Sequence, residues 1–152
     1  PPTSCPEAHF SDWEVLAGGV TRISRGLSSA LAQTVEPEGL TASEGGLLLK
    51  LGVGLAYPGE ISACMGIDAS NVSRVIRSLE DKQLITREVD NENRSKAILR
   101  LTRTGQKKVE RLQPKVQAME AAILSGLSQP EIGQLKGLLR KLGEGVFQTG
   151  LT

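Results

Sequence analysis

The run from Pro58 to Arg103, PGEISACMGIDASNVSRVIRSLEDKQLITREVDNENRSKAILRLTR, decides the fold. Its punctuation predicts a short helix, a tight turn, a second helix and a two-stranded ribbon with a charged tip. Asp68 is placed to cap the second helix, with Ala69, Ser70 and Asn71 following as small residues suited to a helix start. Val72, Val75, Ile76 and Leu79 then recur at i, i+3, i+4 and i+7, so one face is apolar and packs inward. About 100° per residue puts Ser70, Ser73, Arg74 and Arg77 on the opposite face, with Asn71 and Ser78 on its border. That outer face holds hydroxyls, an amide and two arginines, and meets no acid before Glu80.

The flanks complete the unit. Pro58 opens the short first helix, Ile61, Cys64 and Met65 are expected on its inner face, and Gly66 permits the turn before Ile67. LITREV (Leu84 to Val89) and KAILRL (Lys96 to Leu101) read as strands around the polar cluster Asp90 to Ser95. Such a short ribbon must lie against the helices to be stable. This order is that of a winged helix-turn-helix, in which a helix enters the major groove of DNA and a ribbon reaches along it. On that reading Ser70, Ser73, Arg74 and Arg77 face the major groove, and Asn71 at the helix start touches backbone or base. Arg94 at the ribbon tip goes to the minor groove, where a narrow groove favours arginine. Lys96 and Arg87 go to phosphate.

Charge is distributed to match. The formal net charge is only +1, but Arg74 to Arg111 carries 11 Arg and Lys against 6 Asp and Glu, a net of +5. Residues 1–73 have a net of −5 and residues 112–152 a net of +1. A basic block inside a nearly neutral chain is the footprint of a localised polyanion contact.

The ASNVSRVIRSLEDKQLITRE run, the DNENRS wing with Asp90 and Arg94, and the LTRTG segment (Leu101 to Gly105) resemble the DNA-binding lobe of the MarR (multiple antibiotic resistance regulator) family. Two positions depart from the family's habit. Gln83 stands where Gly is frequent, and Asn93 stands where Asp is frequent, which removes a carboxylate that would orient Arg94. The resemblance implies a homodimeric transcription regulator, a repressor more often than an activator, on a pseudo-palindromic operator. It also implies release by a small aromatic or phenolic anion, for which Arg22 and Arg25 on the first helix are the nearest cations. Some members of the family sense peroxide through a cysteine on the first helix; Cys5 precedes that helix here. A winged helix that contacts proteins rather than DNA, and a thiol-based redox sensor, are the alternatives.

The rest of the chain reads as amphipathic helix. Ser11 to Glu14 is a capping box, followed by Trp13, Leu16, Val20, Ile23, Leu27 and Leu31 at three- and four-residue steps until Pro37 and Gly39. Thr41 to Glu44 opens a second helix through Leu47, Leu48 and Leu51. Gly45, Gly46, Gly52 and Gly54 in and after it fit either close helix crossings or a hinge. The GVG of Gly52 to Gly54 lacks the third glycine and the Lys-Ser/Thr of a phosphate loop. Thr102 caps another long helix, with Val109, Leu112, Val116, Met119 and Ile123 in its stripe and Pro114 expected to kink or split it. Ser128 to Glu131 is a third capping box, before the stripe Ile132, Leu135, Leu139, Leu142 and Val146.

The expected fold class is therefore α+β, mostly α: a winged helix-turn-helix with long N- and C-terminal dimerisation helices. A single domain spans residues 1–152, with the DNA-binding lobe at 41–101 and dimerisation helices at 11–36 and 102–147. Apolar stripes at both chain ends need a partner, and a two-fold homodimer supplies it.

An enzyme is not expected. His9 is the one histidine, which removes histidine-based metal clusters and triads. Neither a metal nor another cofactor is indicated. Cys64, on the apolar face of its helix, is expected to be a buried structural thiol. No apolar run reaches the length of a membrane span, and PPTSCPEAHF has neither the basic start nor the apolar core of a signal peptide, so a cytoplasmic location is expected.

Overall fold

The computed structural model describes residues 12–90 and 97–148. Cys5, His9, Ser11, Asn93, Arg94 and Lys96 lie outside the described residues. In chain order the elements are α1 (Asp12–Val35), a 3-10 turn (Glu36–Glu38), α2 (Ala42–Gly52), α3 (Pro58–Met65), α4 (Ala69–Asp81), β1 (Ile85–Val89), β2 (Ala97–Leu101), α5 (Arg103–Ile123) and α6 (Gln129–Gln148). Pro114 does not split α5, which runs continuously through it.

The chain divides into two compact units, residues 1–116 and 117–152. The first holds the core. Val35 and Leu40, then Leu47, Leu48 and Leu51 of α2, Ile61 of α3, and Val72, Ile76 and Leu79 of α4 are buried together with Leu84, Ile85, Leu99, Val109 and Leu112. α2, α4 and α5 contribute residues spaced by three or four, so an apolar layer forms behind the outer face of α4.

Local signals set the helix ends. Thr41 and Glu44 form a complete capping box, Thr41 Oγ1 accepting from the Glu44 N–H and Glu44 Oε2 from the Thr41 N–H. Asp68 accepts the Asn71 N–H at 2.8 Å and caps α4. Gly66, at φ 63°, ends α3 in the left-handed region and lets the chain turn into α4. Thr102 Oγ1 accepts the Gly105 N–H at the start of α5.

The glycines of α2 mark close crossings. A Cβ on Gly45 would stand 2.7 Å from Val35 Cγ1, and one on Gly52 would stand 2.7 Å from Val109 Cγ1. Gly105 sits under β1, where a Cβ would lie 1.9 Å from the Leu84 carbonyl oxygen. That is why LTRTG ends in glycine.

β1 and β2 pair antiparallel, Ile85 opposite Leu101 and Val89 opposite Ala97. The far edge of β2 is partly covered, since the Leu99 N–H donates to the Ala56 carbonyl at 2.9 Å. Cys64 corrects the expectation of a buried thiol: it is exposed. On α3 the packed side runs through Ile61 and Met65, with the Met65 methyl against Gly46. Cys64, on the other flank of Ile61, is left in solvent.

The second unit contains the end of α5 and α6. Ile123, Leu127, Leu135, Leu138, Leu139 and Leu142 are exposed there. On α1 of the first unit, Leu16, Val20, Ile23 and Leu27 are exposed likewise. Among the described residues no helix is long and apolar enough to cross a membrane.

Candidate nucleic-acid interface

The outer face of α4 is built from its first three turns. Ser70, Ser73, Arg74 and Arg77 are exposed, and Asn71 is half-buried at the edge. These side chains are already connected. The Asp68 carboxylate accepts from the Ser70 hydroxyl and from Asn71 Nδ2, and Asn71 Oδ1 accepts from Arg74 Nη2. The Ser70 hydroxyl and the Asn71 backbone N–H hold the Asp68 carboxyl far below the usual carboxylate range, at about 2. Ser73 Oγ donates back to the Ala69 carbonyl at 2.8 Å. Both serine hydroxyl protons are thus engaged within the helix, which leaves their oxygens as acceptors. The donors this face still offers are Arg77 and the part of the Arg74 guanidinium that Asn71 does not engage.

The basic block is less free than its charge count implies. Lys82 is paired with Glu44 at 2.8 Å, Arg87 with Glu80 at 3.4 Å and Arg100 with Glu88 at 2.8 Å. Glu38 gathers Lys108 at 3.2 Å, Arg111 at 3.5 Å and Lys115 at 2.7 Å. Hydrogen bonds from Lys115 and Lys108 hold the Glu38 carboxyl below its ordinary range. Of the described cations between Arg74 and Arg111, the ones with no acidic partner are Arg74, Arg77, Arg103 and Lys107. Sequence reasoning passed over Arg103 and Lys107 on the first turns of α5. No sequence signal set Lys107 apart, since Glu110 follows it by three residues; only the fold shows which cations are left without an ion pair.

Two contacts fix the interface to the body. Glu44, 3 % exposed, accepts from Ser78 Oγ at 2.6 Å and from Lys82 Nζ at 2.8 Å, while Lys82 also reaches the Gly39 carbonyl at 3.0 Å. Burial pushes the Glu44 carboxyl up, but the hydrogen bonds from Lys82, Ser78 and the Thr41 N–H outweigh it and leave it below its ordinary value. The C-terminal end of α4 is therefore clamped to the N-terminus of α2. At the end of β1, buried Asp90 accepts from the Tyr57 hydroxyl at 2.7 Å.

The remaining expected site residues are dispersed. Arg87 lies exposed on β1 and pairs with Glu80 at 3.4 Å. Arg22 and Arg25 are exposed on α1. Among the described residues no group of His, Cys, Asp and Glu is placed to hold a metal ion.

A helix-turn-helix whose second helix presents two unpaired arginines, backed by an antiparallel ribbon, defines a winged helix-turn-helix protein. Residues 38–94 match the model of the MarR family. Among curated relatives, the uncharacterized HTH-type transcriptional regulator YwaE of Bacillus subtilis is 29% identical over 59% of this chain and 53% of its own length. The chain spans about half the length of the curated relatives it matches. Among solved structures, the Staphylococcus aureus MepR–DNA complex is 28% identical with a TM-score of 0.75, covering 91% of this chain and 99% of that one. Bordetella bronchiseptica BpsR, whose DNA binding is regulated by 6-hydroxynicotinic acid, is 25% identical with a TM-score of 0.73, covering 84% and 97%.

Proposed function

We propose that this protein is a sequence-specific transcription regulator that binds a pseudo-palindromic operator as a homodimer and acts as a repressor. The observation that carries the reading is the outer face of α4, where Arg74 and Arg77 stand exposed without an acidic partner while the opposite face is buried. Arginines left unpaired on a helix that is rigidly seated by its other face are what a major-groove contact requires. MepR, similar over nearly its whole length, was solved as a DNA complex.

The stripes of α1 and α6 support the dimer. Ile23 is 63% exposed and Leu138 64%, and neighbouring leucines repeat the pattern. A second copy covers these stripes, and two-fold symmetry then sets the half-sites about one helical turn, roughly 34 Å, apart. The resulting organisation is one domain, residues 1–152, with the lobe at 41–101 and dimerisation helices at 11–36 and 102–147. On the ribbon, Arg94 takes the minor groove and Lys96 the phosphates. Arg87 reaches phosphate after exchanging Glu80.

A small aromatic or phenolic anion releases the operator, with Arg22 and Arg25 as its cations. The regulation of BpsR by 6-hydroxynicotinic acid, an aromatic hydroxy acid, supports this class of effector.

A mobility-shift titration of the full chain on duplex DNA at several salt concentrations tests the reading. Affinity falls steeply as salt rises, because phosphate contacts release counterions. Arg77→Ala reduces the slope of log affinity against log salt by about 1. Absence of any salt-sensitive shift overturns the reading and leaves a winged helix that contacts proteins.

A further inference from the structure

The relay at the start of α4 divides the work between Asn71 and Arg74. We propose that Arg74 reads a guanine in each half-site and that Asn71, held by Asp68, is the positioning residue that aims it rather than a reader of bases. The proposal rests on the DNA-binding function proposed above.

A free asparagine reads adenine by offering its N–H and its carbonyl oxygen along one edge, to N7 and N6. Both groups of Asn71 are engaged on the protein. Nδ2 donates to Asp68 and Oδ1 accepts from Arg74. The amide is locked in this sense by chemistry. Turning it over would set its oxygen against a carboxylate and its N–H groups against a guanidinium, which has no acceptor. Asp68 is itself fixed, because it also accepts the Asn71 backbone N–H at 2.8 Å as the helix cap. The backbone of α4 thus dictates the Asp68 carboxylate, the carboxylate dictates the amide, and the amide dictates where the guanidinium lies.

Arg74 keeps the rest of its fork. Among the described residues no acid pairs with it, and Asn71 engages only Nη2. Among major-groove base edges, guanine alone offers two adjacent acceptors, O6 and N7, matching two parallel N–H donors. Adenine and cytosine present amino donors there, which repel a guanidinium. Arg77, one turn further along, has no comparable relay among the described residues and is a point charge suited to phosphate. Ser70 and Ser73, with their protons engaged, do not compete for the acceptor edge. Ordering Arg74 in the free protein also lowers the rotamer freedom lost when it docks.

The test starts from selection of random-sequence duplexes by the full chain. The retained duplexes carry a fixed guanine in each half-site. Replacing that guanine by 7-deazaguanine, which lacks the N7 acceptor, weakens binding on the order of tenfold in fluorescence anisotropy. Arg74→Ala is indifferent to that replacement, because no donor remains at that position to meet N7. Asn71→Ala loses most of the guanine over 7-deazaguanine discrimination, with its fold followed by circular dichroism. A merely structural Asn71 would instead lower the melting temperature and weaken all duplexes alike. Selected sites without a fixed guanine, or an Asn71→Ala protein that discriminates as well as the parent, overturn the inference. If no duplex is retained at all, DNA binding itself fails, a result separable from both.

Discussion

Lys82 Nζ lies 2.8 Å from Glu44 Oε1, joining the residue that follows α4 to the third residue of α2. One carboxylate therefore closes a helix cap and anchors the end of α4. Replacing it by glutamine keeps the shape but removes the charge that Lys82, Ser78 and the Thr41 N–H converge on. Glu44→Gln is expected to lower stability by about 2 kcal/mol in urea unfolding. The loss stays below that of a fully buried broken pair because Lys82 is 39% exposed and rehydrates.

The same carboxylate gives a pH signature. Its folded value lies below the ordinary 4.5, so the unfolded chain binds the proton first as pH falls. The stabilisation is complete above about 4.5 and is lost as pH drops through the lower folded value. The gap between parent and Glu44→Gln should therefore close below pH 4.5 in acid unfolding curves. Glu38, depressed by Lys115 and Lys108, keeps part of the acid sensitivity in the variant.

Tyr57→Phe tests the anchor at the end of β1, where the strand runs into the ribbon's tip. It removes the 2.7 Å hydrogen bond to Asp90, a carboxyl only 7% exposed. A bond to such a group contributes about 2 kcal/mol, equivalent to a melting temperature lower by about 4–8 °C. An unshifted melting curve would show that the phenol is not the anchor.

Gly105→Ala places a methyl 1.9 Å from the Leu84 carbonyl oxygen. That oxygen also accepts the Thr102 N–H at 3.0 Å, so it cannot retreat without cost. A loss of about 2–4 kcal/mol is expected in denaturant unfolding.

Gln83→Gly should act in the opposite direction. Gln83 has φ 56°, a conformation that strains a side-chain-bearing residue by about 1–2 kcal/mol. Glycine relieves that strain but loses more freedom on folding, so the net gain is about 0.5–1 kcal/mol. It is read as a higher urea midpoint with unchanged slope. The Thr102 hydroxyl still has the residue-83 carbonyl to donate to, since that contact is with backbone.

Ile23→Lys combined with Leu27→Lys puts charges on the exposed stripe of α1. Sedimentation should then report monomer where the parent sediments as dimer, with helix content by circular dichroism unchanged. A parent that sediments as a monomer at micromolar concentration would overturn the dimer.

The sequence by itself determined the helices of the lobe and the ribbon. Those are written in contacts between residues a turn or a strand pair apart: Asp68 with Asn71, Thr41 with Glu44, the 3.6-residue recurrence of Val72, Ile76 and Leu79. Such signals need no knowledge of what lies across the core. Even the habit of glycine at position 83 was legible as a family departure, although its cause, a positive φ, was not.

Only the tertiary structure decided which polar groups remain available. A charge count assigns +5 to residues 74–111, but it cannot say that Glu44 takes Lys82 from 38 residues away or that Glu38 takes Lys108 from 70. Nor could it place Cys64 outside the core or Tyr57 upon Asp90, because these depend on how α2, α3 and β1 meet. Ion pairing and burial act over a few ångströms in space, whatever the separation along the chain, so they are settled only once the elements pack.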